Sequence, residues 1–191
     1  LDGARLFNAV AATGISAEQW ASHFDTVSVC FSKGLGAPVG SALAGSRELI
    51  QVARRHRKLF GGGMRQAGII AAGALYALQH NRERLVEDHE NARILAQAIT
   101  ETEGLTLTPE QIDSNIVIFQ VSSSLGTAAE FTTALKARGV WMLAVGGTAV
   151  RAVTHLDVQR AEVEQATRII KEVAEQMAAG TLKITDVEPT Y

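Results

Sequence analysis

Between Asp25 and Phe31 the chain carries Val27, Val29, Cys30 and Phe31 in close succession, a short apolar segment rich in β-branched residues that predicts a buried strand. Val39 to Ala44, with Gly36 and Pro38 before it and Gly45 after it, predicts a second strand. Ahead of both, Arg5 to Ala12 predicts a short helix stopped near Gly14. Ser16, with Gln19 at the third position beyond it, has the form of a capping box that opens another. Ser46 caps a basic helix running to about Phe60, which Gly61, Gly62 and Gly63 break, since each glycine costs about 1 kcal/mol in a helix interior. From Met64 to about His80 the residues are small and apolar, Ala67, Gly68, Ala71, Ala72, Gly73 and Ala74 among them. That texture predicts a central helix packed on most sides.

From Asn81 the texture changes. Arg82, Glu83, Arg84, Glu87, Asp88, Glu90 and Arg93 alternate with Leu85, Val86, Ala92, Leu95 and Ile99, predicting an amphipathic helix to about Glu103 whose charges form a solvated face. A domain boundary is expected within it, near Asp88, giving domains 1–88 and 89–178 and a loose tail over 179–191. Strands are expected at Leu105–Thr108, Asn115–Val121, Val140–Leu143 and Val150–Thr154, and helices at Thr127–Arg138 and Val158–Ala178. Strands with crossover helices and a last packing helix describe a small α/β domain.

Composition narrows the classes. Of 191 residues, 47% are hydrophobic and 20% charged, which supports a packed core and excludes a disordered chain. A net charge of -2 offers neither nucleic acid nor a membrane surface an obvious footing. No apolar run approaches the roughly 20 residues of a spanning helix. The one cysteine, Cys30, cannot build an internal disulfide framework and suits a reducing, cytoplasmic compartment; it reads as a small buried hydrophobe. His23, His56, His80 and His89 are not paired at metal-ligand spacing, so no metal is expected. The opening Leu1-Asp2-Gly3-Ala4-Arg5, a polar glycine motif with no strand, cap or signal peptide before it, reads as the middle of a longer protein.

Lys33 is the residue with chemical promise. It follows the first apolar strand directly and precedes the glycine-rich Gly34-Leu35-Gly36. An amine at a strand end with little bulk around it suits bonding to a carbonyl cofactor, although local context alone favours a solvated loop lysine. Asp2 precedes it with room for one helical crossover and one strand, so the two side chains can lie at one sheet edge. Pyridoxal phosphate needs such a pair, a lysine at its aldehyde and a carboxylate at its ring nitrogen. Arg5 is placed to reach the ring's phenolate oxygen or a substrate carboxylate, and Arg151, on an expected strand, suits bidentate binding of an α-carboxylate. A nucleotide-binding reading of Lys33 to Gly36 is disfavoured, because Pro38 opposes immediate helix formation and the full phosphate-loop pattern is missing.

Four segments taken together, Asp2 to Ala9, Ser32 to Ser41, Arg57 to Gln66 and Arg151 to Asp157, resemble the low-specificity L-threonine aldolases in the same order, over nearly the whole chain. The resemblance implies an α/β protein of the fold-type-I pyridoxal-phosphate transferase-like class, comprising the C-terminal part of the large mixed-sheet domain and a small α/β C-terminal domain. It implies an enzyme cleaving L-threonine or L-allo-threonine to glycine and acetaldehyde, a small amino acid as substrate, and a homotetramer or dimer. Lys33 resembles the lysine bonded to the cofactor, Asp2 the ring-nitrogen carboxylate, Arg5 the arginine beside cofactor and substrate, and Arg151 the carboxylate-binding arginine. Arg65 on the cofactor and Lys58 on the substrate match basic positions that approach from a neighbouring subunit; the plainer alternative is a basic surface shared with Arg54, Arg55 and Arg57. His155 is expected to orient its own turn. The resemblance also implies that the phosphate cradle, the ring-stacking histidine and the group removing the hydroxyl proton lie in a preceding half, without which cofactor binding would be poor. The alternatives are a β-eliminating lyase of the same cofactor class and an inactive piece.

Overall fold

The protein is described here from a computed structural model covering residues 1–182. The chain divides into two compact units, the first spanning Leu1–Val86 and the second beginning at Glu87.

In the first unit, helix α1 (Leu6–Thr13) ends at Gly14, whose φ of 71° is the left-handed cap that a side chain would strain. Helix α2 (Ala17–Ala21) opens on a complete capping box, with Ser16 Oγ accepting from Gln19 N and Gln19 Oε1 accepting from Ser16 N. Strand β1 (Thr26–Cys30) pairs antiparallel with β2 (Ser41–Gly45), Cys30 facing Ser41 and Thr26 facing Gly45. A parallel bridge sets Asp2 beside Ser28. Helix α3 (Arg47–Leu59) begins where Ser46 Oγ accepts from Leu49 N, and α4 (Gly68–His80) follows the glycine break. The small core here comprises Leu35, Ala37, Ala77 and Leu85, flanked by Phe7, Ala11, Phe31 and Leu78.

Three expectations are corrected in this unit. β1 is not a buried strand: only Val27 is buried, Cys30 is half-exposed, and β2 is exposed throughout. α4 begins at Gly68, since Gly61, Gly62 and Gly63 and the residues just after them do not take up helical turns. It is not surrounded either; only Ala74 and Ala77 are buried, while Ile69 is 91% exposed.

The second unit holds most of helix α5 (Leu85–Thr100), strands β3 (Leu105–Leu107) and β4 (Ile116–Val121), helix α6 (Ala128–Lys136), strands β5 (Leu143–Ala144) and β6 (Ala149–Val153), and helix α7 (Arg160–Ala178). Its sheet runs β3-β4-β6-β5 and every pairing is antiparallel; β4 and β5 therefore run in the same direction, with β6 between them, and α6 is the crossover helix that joins them. The helices pack on the inward side of the strands. Alternation selects that side: Val117, Phe119, Val121, Val150 and Ala152 are buried, whereas Ile118 and Arg151, directly opposite each other, lie on the open side. Leu95 and Ile99 from α5, Phe131 and Leu135 from α6, and Ile170 and Val173 from α7 complete the core, and Phe119 meets Phe131 edge to face at 6.2 Å. α6 carries a second capping box, Thr127 with Glu130.

The expected strand at Val140–Leu143 shrinks to Leu143–Ala144, and α7 starts two residues late, after Gln159. The charged face of α5 is also corrected. Asp88 and His89 are buried, because the segment after β6 lands on the start of this helix: Thr154 Oγ1 donates to Asp88 O at 2.6 Å and Asn91 Nδ2 to Val158 O at 3.3 Å. The part of the expected tail at 183–191 lies outside the described residues. No helix among the described residues is long and apolar enough to cross a membrane.

Candidate active site

The arrangement around Lys33 follows from how β1 ends. After Cys30 the antiparallel ladder continues through Phe31 N–H donating to Gly40 O, and the intervening loop folds back so that Ala37 N–H donates to Phe31 O. Within it, Gly36 N–H donates to Lys33 O at 2.9 Å, making Lys33 the first residue of a tight turn in which Gly36 has φ of 72°. The turn is gripped from beneath. Leu35 is buried in the small core, and Asn81 Nδ2 donates to Leu35 O at 2.7 Å. A Cβ on Gly34 would come within 2.9 Å of both Asn8 Oδ1 and Leu85 Cδ2, so a larger residue there would push these two buried side chains aside. The lysine side chain stays exposed on a backbone that is tied down on both sides.

Asp2 is held just as closely. Its strand runs parallel to β1 at Ser28, Ser28 N–H donates to Leu1 O at 3.0 Å, and the Asp2 carboxylate accepts from Ala4 N–H at 3.2 Å. Gly3 lies so close to β1 that a Cβ there would sit 2.6 Å from Ser28 O. Chain direction is therefore shared: Asp2 flanks the middle of β1 and Lys33 lies three residues past its C-terminal end. Arg5, half-buried, is the residue immediately before α1. Asp2 and Lys33 thus both lie on segments attached to β1.

The other predicted residues stand elsewhere. Lys58 is in the last turn of α3 and Arg65 in the segment between α3 and α4; both are exposed, and no hydrogen bond or ion pair links them to Asp2 or Lys33 among the described residues. Arg151 belongs to the second unit, mid-strand on β6, opposite Ile118 on one side and Leu143 on the other. His155 orients its own turn, its Nδ1 accepting from Asp157 N–H at 3.2 Å. Among the described residues no group of three or more His, Cys, Asp or Glu side chains is placed to hold a metal. Asn8 and Asn81 were not picked out by sequence reasoning. Their signal is faint, a single amide side chain on a helix and one at a helix end, and only the fold brings both under the Lys33 turn.

Among the described residues of the second unit, His89, 3% exposed, is a titratable group that burial clearly perturbs. Desolvation and the nearby Arg93 lower its pKa, with Asp88 acting in the opposite sense.

The donor set suits one cofactor in particular. An exposed amine after a strand and a carboxylate on the adjoining parallel segment are what pyridoxal phosphate uses at its aldehyde and its ring nitrogen. The fold carries the same indication. Solved structures of fold-type-I pyridoxal-phosphate enzymes superpose on this chain, among them a Listeria monocytogenes protein assigned there as an L-allo-threonine aldolase, with a TM-score of 0.76, 24% identity, and 93% of this chain and 51% of that chain covered. The chain thus has a fold-type-I architecture.

Within that class the chain belongs to the beta-eliminating lyase family, whose model matches residues 1–122. It is 44% identical over 165 residues to the low specificity L-threonine aldolase of Escherichia coli, covering 86% of this chain and 47% of that protein. It is 37% identical over 164 residues to low-specificity L-threonine aldolase 1 of Arabidopsis thaliana, covering 85% of this chain and 46% of that protein. The chain spans about half the length of the curated relatives it matches.

Proposed function

We propose that the complete protein containing this chain is a pyridoxal-phosphate-dependent aldehyde-lyase. It cleaves L-threonine, L-allo-threonine and related β-hydroxy-α-amino acids to glycine and an aldehyde. The observation that carries the reading is the parallel placement of Asp2 against β1, with Lys33 on a pinned turn just past the end of the same strand. The first unit is then the C-terminal part of the cofactor-binding domain, and the second the small domain.

When bound, pyridoxal phosphate supplies an aldehyde for exchange with an amine and a ring that accepts the electron pair left at Cα. The residues of this chain divide the remaining work. Lys33 would hold the cofactor through its amine, and the same amine would be available as a base and proton donor. Asp2 would hold the ring nitrogen and favour its protonated form, a role that the seam tying Asp2 to Ser28 suits. Arg151 receives the substrate α-carboxylate in a bidentate pair, assisted by Arg5. Lys58 and Arg65 contribute from a neighbouring copy. The reaction balances without water or redox change: the β-hydroxyl loses its proton, the Cα–Cβ bond breaks, and Cα gains a proton as glycine forms.

A homo-oligomer is part of the proposal. It is supported by the exposed apolar side chains of Leu59, Phe60, Met64, Ile69 and Tyr76 on and around α3 and α4. A cytoplasmic location is proposed with it, consistent with the free thiol of Cys30.

The test is a product assay on the full-length protein with L-threonine. Equal amounts of glycine and acetaldehyde are expected. Ammonia release without glycine would instead identify a β-eliminating lyase.

A further inference from the structure

The aim of Arg151 depends on how β6 is held, and the two sides of that strand are held unequally. β5 is two residues long, so on its side only the Leu143–Arg151 and Ala144–Val150 pairs support β6. Beyond Arg151, at Ala152 and Val153, the strand is paired to β4 alone. A strand end held on one side is free to twist, and a guanidinium carried on it moves with it.

A polar clamp sits at that end. Thr154 N–H donates to Asn115 O at 3.0 Å, and Asn115 Nδ2 donates to Thr154 O at 2.7 Å, so one residue grips both main-chain polar groups of Thr154. Thr154 Oγ1 donates to Asp88 O at 2.6 Å, in the first turn of α5. Thr154, Asn115 and Asp88 are all buried. Buried polar groups are tolerated only when bonded, and a fully satisfied cluster is rigid. The clamp extends the β4–β6 register by one further rung, Asn115 with Thr154, after Ile116 with Val153. Register is what selects the face: Val150 and Ala152 point into the core, and a one-residue slip would turn Arg151 inward among them.

We propose that Thr154 is a positioning residue for substrate binding. Held by Asn115 and by the main chain of Asp88, it fixes the direction in which Arg151 offers its guanidinium to the α-carboxylate of an amino acid. This rests on the reading of Arg151 as the carboxylate holder. Bidentate pairing tolerates little misalignment, so small movements of β6 weaken carboxylate binding before they touch the bond-breaking step.

The test uses the full-length enzyme loaded with pyridoxal phosphate, and the variants Arg151→Lys, Thr154→Val, Thr154→Ser and the double variant Arg151→Lys/Thr154→Val. Thr154→Val removes the hydroxyl donor at nearly constant shape and is expected to raise KM for L-threonine about tenfold with kcat within about twofold. Thr154→Ser restores the donor and is expected to return KM to within about twofold of the parent. Inhibition by glycine weakens in step with KM, whereas inhibition by ethanolamine, which has the amine without the carboxylate, does not change. Because Thr154 acts through Arg151, adding Thr154→Val to Arg151→Lys raises KM by less than about twofold. Asn115→Ala, which removes the clamp from β4, serves as the second variant and gives the same KM-selective pattern if Thr154→Val does not fold. A full KM increase from Thr154→Val in the Arg151→Lys background, or failure of Thr154→Ser to restore KM, overturns the positioning role. An unchanged KM in Arg151→Lys alone overturns the carboxylate reading of Arg151 on which it rests.

Discussion

Gly3→Ala tests the seam that carries Asp2. The added methyl would stand 2.6 Å from Ser28 O and 3.1 Å from Val27 Cγ1, and the first of these is backbone that cannot swing aside. Restoring an ordinary 3.4 Å contact opens the seam by about 0.8 Å. The Ser28 N–H to Leu1 O hydrogen bond, now 3.0 Å, is then stretched beyond bonding range. Losing it costs about 1 kcal/mol, and the overpacking adds about 1–3 kcal/mol, for a total near 2–4 kcal/mol. Asp2 moves with the seam, so kcat for L-threonine is expected to fall by about ten- to a hundredfold with cofactor saturating. Urea unfolding gives the first number and acetaldehyde production the second. A full-length Gly3→Ala protein with parental unfolding midpoint and parental kcat would refute the claim that Asp2 is held against β1 by a close backbone approach.

Asn81→Ala removes the donor to Leu35 O beneath the Lys33 turn and is expected to cost about 1–3 kcal/mol of stability and to lower kcat; a change in stability with kcat intact would separate the turn's anchoring from the chemistry. His89 enters a pH prediction. Its folded-state pKa is lowered, so as pH falls below its ordinary 6.5 the unfolded chain takes up a proton that the folded one refuses. Stability is therefore full above that value and declines as pH falls toward the folded pKa, with a slope of at most about 1.4 kcal/mol per pH unit from this group. His89→Gln should flatten the urea midpoint between pH 6.5 and 5.5, and an unchanged slope would mean that burial of the imidazole is not the cause. Phe131→Ala, in a site with no solvent exposure and edge-on to Phe119, should cost about 3–5 kcal/mol in unfolding measurements on the full-length protein.

The helices and their caps were legible because short-range chemistry determines them: Ser16 with Gln19, Ser46, Gly14 and the Gly61 to Gly63 break all act within a few residues. The periodic strands β4 and β6 were equally legible, since one face is covered by helices. What periodicity does not encode is where another segment lands. Asp88 read as part of a solvated face, yet it is buried where Thr154 bonds to its main chain. β1 and the residues of α4 read as buried because their composition is apolar, whereas the described residues of their own unit cover little of them. The strand order of the second sheet was likewise invisible, because periodicity does not show that β6 inserts between β4 and β5, the two strands that α6 joins. For the site, Lys33 and Asp2 were legible through motif and spacing. Asn8, Asn81 and the Thr154 clamp were not, because each is a lone polar residue whose role arises from a distant partner.

The central claim is that Lys33 is the residue that anchors the cofactor. Borohydride reduction of the full-length protein with pyridoxal phosphate, followed by peptide mapping, tests it directly. The account predicts one label, on the peptide containing Lys33, and none in the Lys33→Ala variant. A label on Lys58 or on another lysine, or labelling that survives Lys33→Ala, would contradict it.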